Sequence, residues 1–363
     1  MSTLRAAVVG CGQIADAHLQ ASRSSGLATV VAVCDRSPDL ARQAALRFGV
    51  PLWESDFDRM LDLTRPDVVH ICTPPATHHG LLDRALNAGS HAYVEKPFAV
   101  SAAEARQMLS KAAASGRLVC AGHDRLFDPA WLECLSRIQS ETIGTVRFVE
   151  FFQSYDLDGP FGRVFTKDET HWVWQLPGGL LCNAIPHGVA ALAALIPDER
   201  PMVTSMSWPR SLQDSATELQ VLVRGTSTSA TLTFVTGTRP AGSYVRVHGD
   251  DGWLEVDFEA RATRLRPSSN LPGLLARIHL PWTSTRESAR MLARNLVRLL
   301  TGDLTYFAGL QHLVRLFYEA VIEGGRSPTL PSDVYRTCVL LEDVISVLEG
   351  REDPGRCNVV VPA

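Results

Sequence analysis

No run in the 363-residue chain approaches the ~20 consecutive apolar residues of a membrane-spanning helix, so no integral membrane segment is expected. Neither sign of charge dominates. Lys and Arg number 35 against 39 Asp and Glu, a formal net charge of −4, and no basic field points to nucleic acid. Internal repeats and low-complexity linkers are missing, which excludes solenoids and long tethers. The eight cysteines (11, 34, 72, 120, 134, 182, 338 and 357) form no C-x-x-C pair, and several sit inside apolar, strand-like runs. That placement fits buried free thiols rather than a disulfide frame or a metal site. His78 and His79 are adjacent, would diverge on a helix or strand, and have no third ligand, so no metal is expected. The opening "MSTLRAAVVGCG" enters an apolar run almost at once. It is read as leaving no room for a signal peptide, and a reduced, cytoplasmic setting is expected.

What is present is an ordinary globular composition, 45% hydrophobic and 20% charged, in a chain long enough for two cores. Over the first part, short apolar runs alternate with helical patterns: "RAAVVG" (5–10), "ATVVAVCD" (28–35), "DVVHICTP" (67–74), "HAYVEKP" (91–97) and "RLVCAG" (117–122). Near-continuous Val, Ile, Ala and Cys runs imply strands buried on both faces, hence a doubly wound parallel sheet built from βαβ units. "HAYVEKP" is counted as the fourth strand end. Ser101 and Glu104 form an S-x-x-E box before the next helix. Beyond residue 125, runs such as "TVRFVEFFQS" (145–154), "ELQVLVRG" (218–225) and "SATLTFVTG" (229–237) alternate apolar and polar residues, as an open, mostly antiparallel sheet should. Helical patterns follow at about 286–301, 306–324 and 333–349. The expected α/β architecture is a Rossmann domain at 1–125 and, at 126–363, an α/β substrate-binding and oligomerisation domain with an open sheet and C-terminal helices. Its open face and paired helices lead us to expect a homodimer or homotetramer.

Gly10-Cys11-Gly12-Gln13-Ile14-Ala15 reads G-x-G-x-x-A between the first strand and first helix. There Gly10 permits a tight turn, Gly12 lets a pyrophosphate approach the backbone, and Ala15 allows close helix–sheet packing. Gln13 and Ile14 lie on the same loop. Asp35 closes the second strand, placed to accept from ribose hydroxyls, with Arg36 beside it. NAD is therefore expected over NADP, which Arg36 keeps open by its capacity to pair a 2′-phosphate.

These residues, with "TPPATHH" (73–79) and "EKPF" (95–98) in this order and spacing, resemble the Gfo/Idh/MocA oxidoreductase family. "PGGLLCNAIPH" (177–187) is similar to that family's G-G-x-x-x-D-x-x-x-H segment. The resemblance implies hydride transfer between a nicotinamide cofactor and a secondary hydroxyl of a sugar, nucleotide sugar or cyclitol. Carried over residue by residue, Lys96 falls on the catalytic lysine and His187 on the catalytic histidine. Glu95 falls near the nicotinamide ribose, Pro97 on a proline that is often cis, and Thr73, Pro74 and His78 on the loop beside the cofactor. Substrate contacts are expected from Lys96, His123, Arg125, His171, Trp172, Asn183 and His187. The sequence departs from the pattern in three places. Asn183 replaces the acidic member of D-x-x-x-H, "GHDRLFDP" (122–129) has Asp124 for Asn and Leu126 for Arg, and "ETHWVWQLPGG" (169–179) differs from the commoner Trp-Arg-x-Asp. Losing the acidic charge at 183 removes roughly 1–3 kcal/mol of charge-assisted hydrogen bonding. Lys96 and His187 are then expected to share the substrate proton.

Two other functions are compatible with the residues. One is transient oxidation with no net redox, leading to elimination, epimerisation or glycoside cleavage. The other is cofactor sensing without catalysis. Finally, Arg286, Arg290, Arg294 and Arg298 recur every four residues opposite Leu292, Ala293, Leu296, Leu299 and Leu300, just after the apolar but turn-rich "LPGLLARIHLPW" (271–282). This stripe is read either as the solvated side of a core-packed helix or as a peripheral contact for anionic lipid or an acidic partner.

Overall fold

The computed structural model describes residues 3–159, 162–209, 217–269, 271–302 and 304–350. The first domain runs β1 (Leu4–Val9), α1 (Ala15–Ser24), β2 (Ala28–Cys34), α2 (Pro38–Phe48), β3 (Leu52–Glu54), α3 (Phe57–Thr64), β4 (Val68–Ile71), α4 (His78–Asn87), β5 (His91–Val94), α5 (Ala102–Ser115) and β6 (Val119–Ala121). Its sheet has the order β3-β2-β1-β4-β5-β6, all pairs parallel. The order reverses between β1 and β4. At such a switch point the loops on either side part and leave a crevice at the carboxyl ends of the strands.

Helix ends follow local chemistry. Ser37 and Asp56 accept from the third residue beyond them to open α2 and α3. Ser101 does the same for α5, while Glu104 reaches back to the amide of Val100 rather than that of Ser101. β3 and α3 were not anticipated, so the Glu95-Lys96-Pro97 loop follows the fifth strand, not the fourth. Three residues at a sheet edge are too few for a periodic signal.

The second domain continues with α6 (Pro129–Gln139), β7 (Val146–Tyr155), α7 (Gly162–Thr166), α8 (Leu180–Ala184), α9 (Pro186–Leu195), β8 (Met202–Trp208), β9 (Glu218–Arg224), β10 (Ser229–Thr236), β11 (Ser243–Gly249), β12 (Gly252–Asp257) and β13 (Ala262–Pro267). The chain ends in α10 (Gly273–Thr301), α11 (Ala308–Glu323) and α12 (Pro331–Leu348). The sheet order is β13-β12-β11-β7-β10-β9-β8, with only β7 and β10 parallel. One face is sealed by Leu180 and Leu181 of α8, Val189 and Leu192 of α9 and Ile185 between the two helices, packed on Val149, Phe151, Leu232 and Phe234. The other face is open and carries Phe148, Phe152, Tyr244 and Arg246, the last paired with Glu150 and Glu255.

The C-terminal helices cross the boundary expected near residue 125. Leu310, Leu313, Phe317 and Tyr318 of α11 share a core with Ala6, Ala17, Ala21, Val68 and Tyr93 of the first sheet and α1. α12 divides its buried side chains between the two domains. Helix α10 corrects two expectations. It begins at Gly273, so the apolar stretch 271–282 is helical through Pro281 rather than turn-rich, and none of its residues is buried. The helix is therefore not core-packed.

Candidate active site

β1 ends at Val9, and the chain turns toward α1 through Gly10 at φ 89°. A Cβ there would lie 2.7 Å from the carbonyl carbon and oxygen of Cys72, so only glycine lets this loop meet the end of β4. At Gly12 a Cβ would meet nothing within 4 Å, and the space above it opens into the main cleft. Asp35 accepts from the amides of Cys11 and Ser37, each at 2.8 Å. Its carboxylate thus braces the glycine loop while facing the cleft alongside Gln13, Ile14 and Arg36. Open space over Gly12 and an acceptor carboxylate at the end of β2 fit a dinucleotide whose ribose carries free hydroxyls.

The cleft, about 1150 Å³, continues past Thr73 and Pro74 to Glu95 and Lys96, then to Asp124, Arg125, His171, Trp172, Asn183 and His187. The peptide between Lys96 and Pro97 is cis. The Nζ of Lys96 donates to the backbone oxygen of Asn183 at 3.1 Å and to its Oδ1 at 3.4 Å, bridging the two domains through neutral acceptors. Burial holds the Lys96 ammonium below its ordinary range, against the opposing pull of Glu95 and Asp124.

His187 is the second residue of α9, and its Nδ1 stands 3.4 Å from Oδ1 of Asp124; the two atoms face each other without a hydrogen bond, and among the described residues neither has another partner. Burial, reinforced by Arg125 and Lys96, holds the imidazole far below its usual range, so it is neutral at neutral pH. Burial and then the charge of Glu95 raise Asp124 to about 6. The carboxylate facing His187 is therefore supplied by Asp124, on the turn after β6, while position 183 binds Lys96.

Behind the cleft wall lies a buried chain of polar groups. Oε1 of Glu95 is 2.9 Å from Nε2 of His18, whose Nδ1 is 2.9 Å from Nδ1 of His70. Nε2 of His70 is 2.7 Å from the Tyr318 hydroxyl, itself 2.8 Å from Ser22 Oγ. One consistent assignment has Ser22 donating to Tyr318, Tyr318 to His70, His70 to His18 and His18 to Glu95. Burial would raise Glu95, but its hydrogen bond with His18, together with Lys96, outweighs it and holds the carboxyl below its usual range. The other oxygen of Glu95 accepts from the Lys96 amide at 3.1 Å, which fixes the residue that carries the lysine.

Three expected site residues stand back from the cleft. His78 is buried and bonds the carbonyls of Thr73 at 2.9 Å and Phe98 at 3.3 Å, tying the two loops together. Pro97 lies behind Lys96, outside the lining. His123, expected to touch substrate, is 3% exposed and outside the lining, and burial lowers it to about 4. The strand-to-turn geometry after β6 points it inward and its neighbours Asp124 and Arg125 outward. Arg125 bonds the Ser243 hydroxyl and lies over the Phe258 ring at 5.1 Å. Trp172 faces the cleft, whereas Trp174 packs edge-on against Phe165 and donates to its carbonyl. The cleft also includes Tyr155, Phe165, Phe258, Arg261 and Tyr306, which sequence reasoning missed. They come from four separate segments, Phe258 and Arg261 sharing the turn between β12 and β13, and no local pattern links the segments.

Fold and site together describe a nicotinamide-dinucleotide-binding protein with a second, open-sheet domain closing over the cofactor cleft. Residues 4–123 match the Gfo/Idh/MocA family model, described as an oxidoreductase family with an NAD-binding Rossmann fold. Over these residues the chain is similar to that family's NAD-binding domain. Curated relatives include the D-apiose dehydrogenase of Paraburkholderia graminis, 30% identical over 42% of this chain and 41% of that protein. The D-glucoside 3-dehydrogenase of Escherichia coli is 36% identical over 32% of this chain and 34% of that protein. The chain thus matches less than half the length of either relative. Among solved structures, the WlbA dehydrogenase of Bordetella pertussis, in complex with NADH and UDP-GlcNAcA, superposes with a TM-score of 0.78 at 16% identity, covering 96% of each chain. At that identity the likeness shows the fold. Among the described residues, no helix is long and apolar enough to cross a membrane, and no His, Cys, Asp or Glu group has the makings of a metal site. The seven described cysteines are free and buried, and Cys357 lies outside the described residues.

Proposed function

We propose that the protein is an NAD-dependent dehydrogenase acting on a secondary hydroxyl of a sugar, nucleotide sugar or cyclitol. The observation that carries this reading is the position of Lys96. Its ammonium sits at the carboxyl end of β5, in the same cleft as the glycine turn, and Asn183 draws it toward the second domain. Relatives named for D-apiose and D-glucosides, and a fold neighbour solved with a nucleotide sugar, support the substrate class.

NAD, when bound, supplies the hydride acceptor. Gly10, Gly12, Gln13, Ile14, Asp35 and Arg36 hold its adenosine and pyrophosphate, with Thr73, Pro74 and Glu95 toward the nicotinamide. His78 and Pro97 act by fixing the loops that carry them. Lys96, kept easy to deprotonate by burial, takes the proton of the substrate hydroxyl. His187 is neutral and too weakly basic to share that proton equally. It hydrogen-bonds the hydroxyl through Nε2 while the Asp124 carboxylate faces its Nδ1 at 3.4 Å. Asn183 aligns Lys96. Arg125, His171 and Trp172 form the wall against the rest of the sugar, where an aromatic face suits a ring's C–H side. His123 is left with a structural role. The first domain, about 1–125, binds cofactor. The remainder binds substrate and, through the open face of its sheet, a second copy of the chain as dimer or tetramer.

The test is absorbance of reduced cofactor across sugars, nucleotide sugars and inositols with NAD and NADP, for the wild type and Lys96→Met. Turnover with NAD that falls roughly 10²–10⁴-fold in Lys96→Met, with NAD affinity kept within a few-fold, is the expected result. No reduction of cofactor by any polyol, in a protein that binds NAD, would overturn the assignment.

A further inference from the structure

Helix α10 is turned inside out. With a period of 3.6 residues, Leu274, Ile278, Trp282, Leu292, Leu296 and Leu300 fall on one side of it, and all six are exposed. Leu274 is 80%, Trp282 67% and Leu300 86% accessible. The side turned toward the protein is the more polar one, with Thr283, Glu287, Met291 and Asn295 half-buried. Polar bonds hold it that way round. The Asn295 amide donates to the Ala260 carbonyl at 2.7 Å, Arg298 donates to the Arg261 carbonyl, and Arg294 pairs with Glu133 on α6. A helix anchored by its polar side presents its apolar stripe outward as a fixed surface, about 43 Å long at 1.5 Å per residue.

The charges decide what that surface meets. Between Gly273 and Thr301 the helix has Arg277, Arg286, Arg290, Arg294 and Arg298 against the single acid Glu287. Arg277 and Arg286 are exposed on opposite margins of the stripe, and among the described residues neither has a polar partner. A second copy of the helix fits poorly. A two-fold axis through the midpoint would set Arg286 and Arg290 against their own copies, across a centre of Thr285, Ser288 and Ala289. Apolar side chains with a tryptophan on one side and unpaired arginines at the margins instead match the boundary of an anionic bilayer, where the stripe enters the acyl region and guanidiniums meet headgroup phosphates. No described helix can span a membrane, so the contact is peripheral.

We propose that α10 docks this protein on anionic lipid membrane surfaces. The apolar face supplies the contact and the arginines the selectivity for charge, which reverses the expectation that the arginine stripe itself is the docking face. The active site is near the same end of the molecule. Arg298 bonds the carbonyl of Arg261, a cleft residue, and the next helix follows Tyr306 and Phe307 at the rim.

The full chain is sedimented with vesicles of phosphatidylcholine alone and of phosphatidylcholine with phosphatidylglycerol. The expected result is binding to the anionic vesicles, weakened by salt and lost in Ile278→Asp/Trp282→Ser. Arg277→Gln/Arg286→Gln should lower partitioning roughly 25-fold, from about a fivefold loss per charge. All four substituted side chains are exposed, so NAD binding should persist in the variants and serves as the folding control. Equal binding to neutral vesicles would overturn the charge selectivity. Absence of binding to both would overturn the proposal outright, and a mass by light scattering that falls in Ile278→Asp/Trp282→Ser would then assign the face to a second copy.

Discussion

Asp124 shows how burial can serve a site and burden a fold through one side chain. Its carboxyl is raised from an ordinary 3.8 to about 6, chiefly by burial. Between these values the folded protein holds a proton that the unfolded chain releases, so stability falls as pH rises through that window. Above about pH 6 the full cost applies, on the order of 2–3 kcal/mol for a shift of this size. Asp124→Asn should remove it and raise the melting temperature by a few degrees at pH 7.5. The same change leaves Nδ1 of His187 without its carboxylate. The kcat/KM should fall roughly 10–100-fold, and the acid limb of the pH profile near 6 should disappear. Scanning fluorimetry and pH–rate measurements on one preparation check both signs, and a variant that is both less stable and unchanged in profile refutes the pairing. Where position 183 is an amide, the carboxylate nearest His187 Nδ1 thus comes from another loop, at Asp124. The sequence displayed both departures, at 124 and 183, but not their proximity, because 59 positions separate Asp124 from Asn183 and only the contact of the two domains joins them.

Elements set these side chains through backbone contacts as much as through polar ones. Gly309 opens the first turn of α11 directly against the turn bearing Asp124. A Cβ at 309 would overlap the Asp124 carbonyl oxygen and lie 3.1 Å from the Asp128 amide. Gly309→Ala should therefore push that turn off His187, with the same loss of the acid limb as Asp124→Asn but a stability change of opposite sign, a loss of about 1–3 kcal/mol. Urea denaturation beside the pH profile distinguishes the two variants. Element recognition from sequence followed signal length. β1, β2, β4 and β5 stand out as buried apolar runs, and the glycine turn and Glu95-Lys96-Pro97 loop are contiguous in the chain. β3, β8 and β13 escaped because they are short or lie at sheet edges, where half the residues face solvent and the apolar period fades. The relay from Glu95 to Tyr318 also escaped, since His18 and His70 look like ordinary core residues until α11 returns, from the far end of the chain, to complete it.

At the scale of the whole molecule, two surfaces stand without cover among the described residues, and they differ in chemistry. The open face of the second sheet stacks Phe152 on Tyr244 at 5.2 Å and holds Arg246 between Glu150 and Glu255, a mixture of rings and balanced charge suited to a self-complementary contact. Phe152→Asp should reduce the solution mass by light scattering at micromolar concentration, while leaving NAD affinity unchanged, and an unaltered mass would remove this face from any assembly. Helix α10, apolar outward and basic at its margins, is matched to a different partner. The sequence by itself determined the doubly wound sheet, the cofactor turn and the lysine at a strand end. Each depends on residues a few positions apart, where steric limits and hydrogen-bond reach leave few choices. Tertiary structure decided which carboxylate faces His187, why His123 is withheld from the cleft, and which side of α10 meets solvent. Those outcomes turn on contacts between distant segments, whose closeness is set by the packing of whole elements and leaves no periodic trace in the chain.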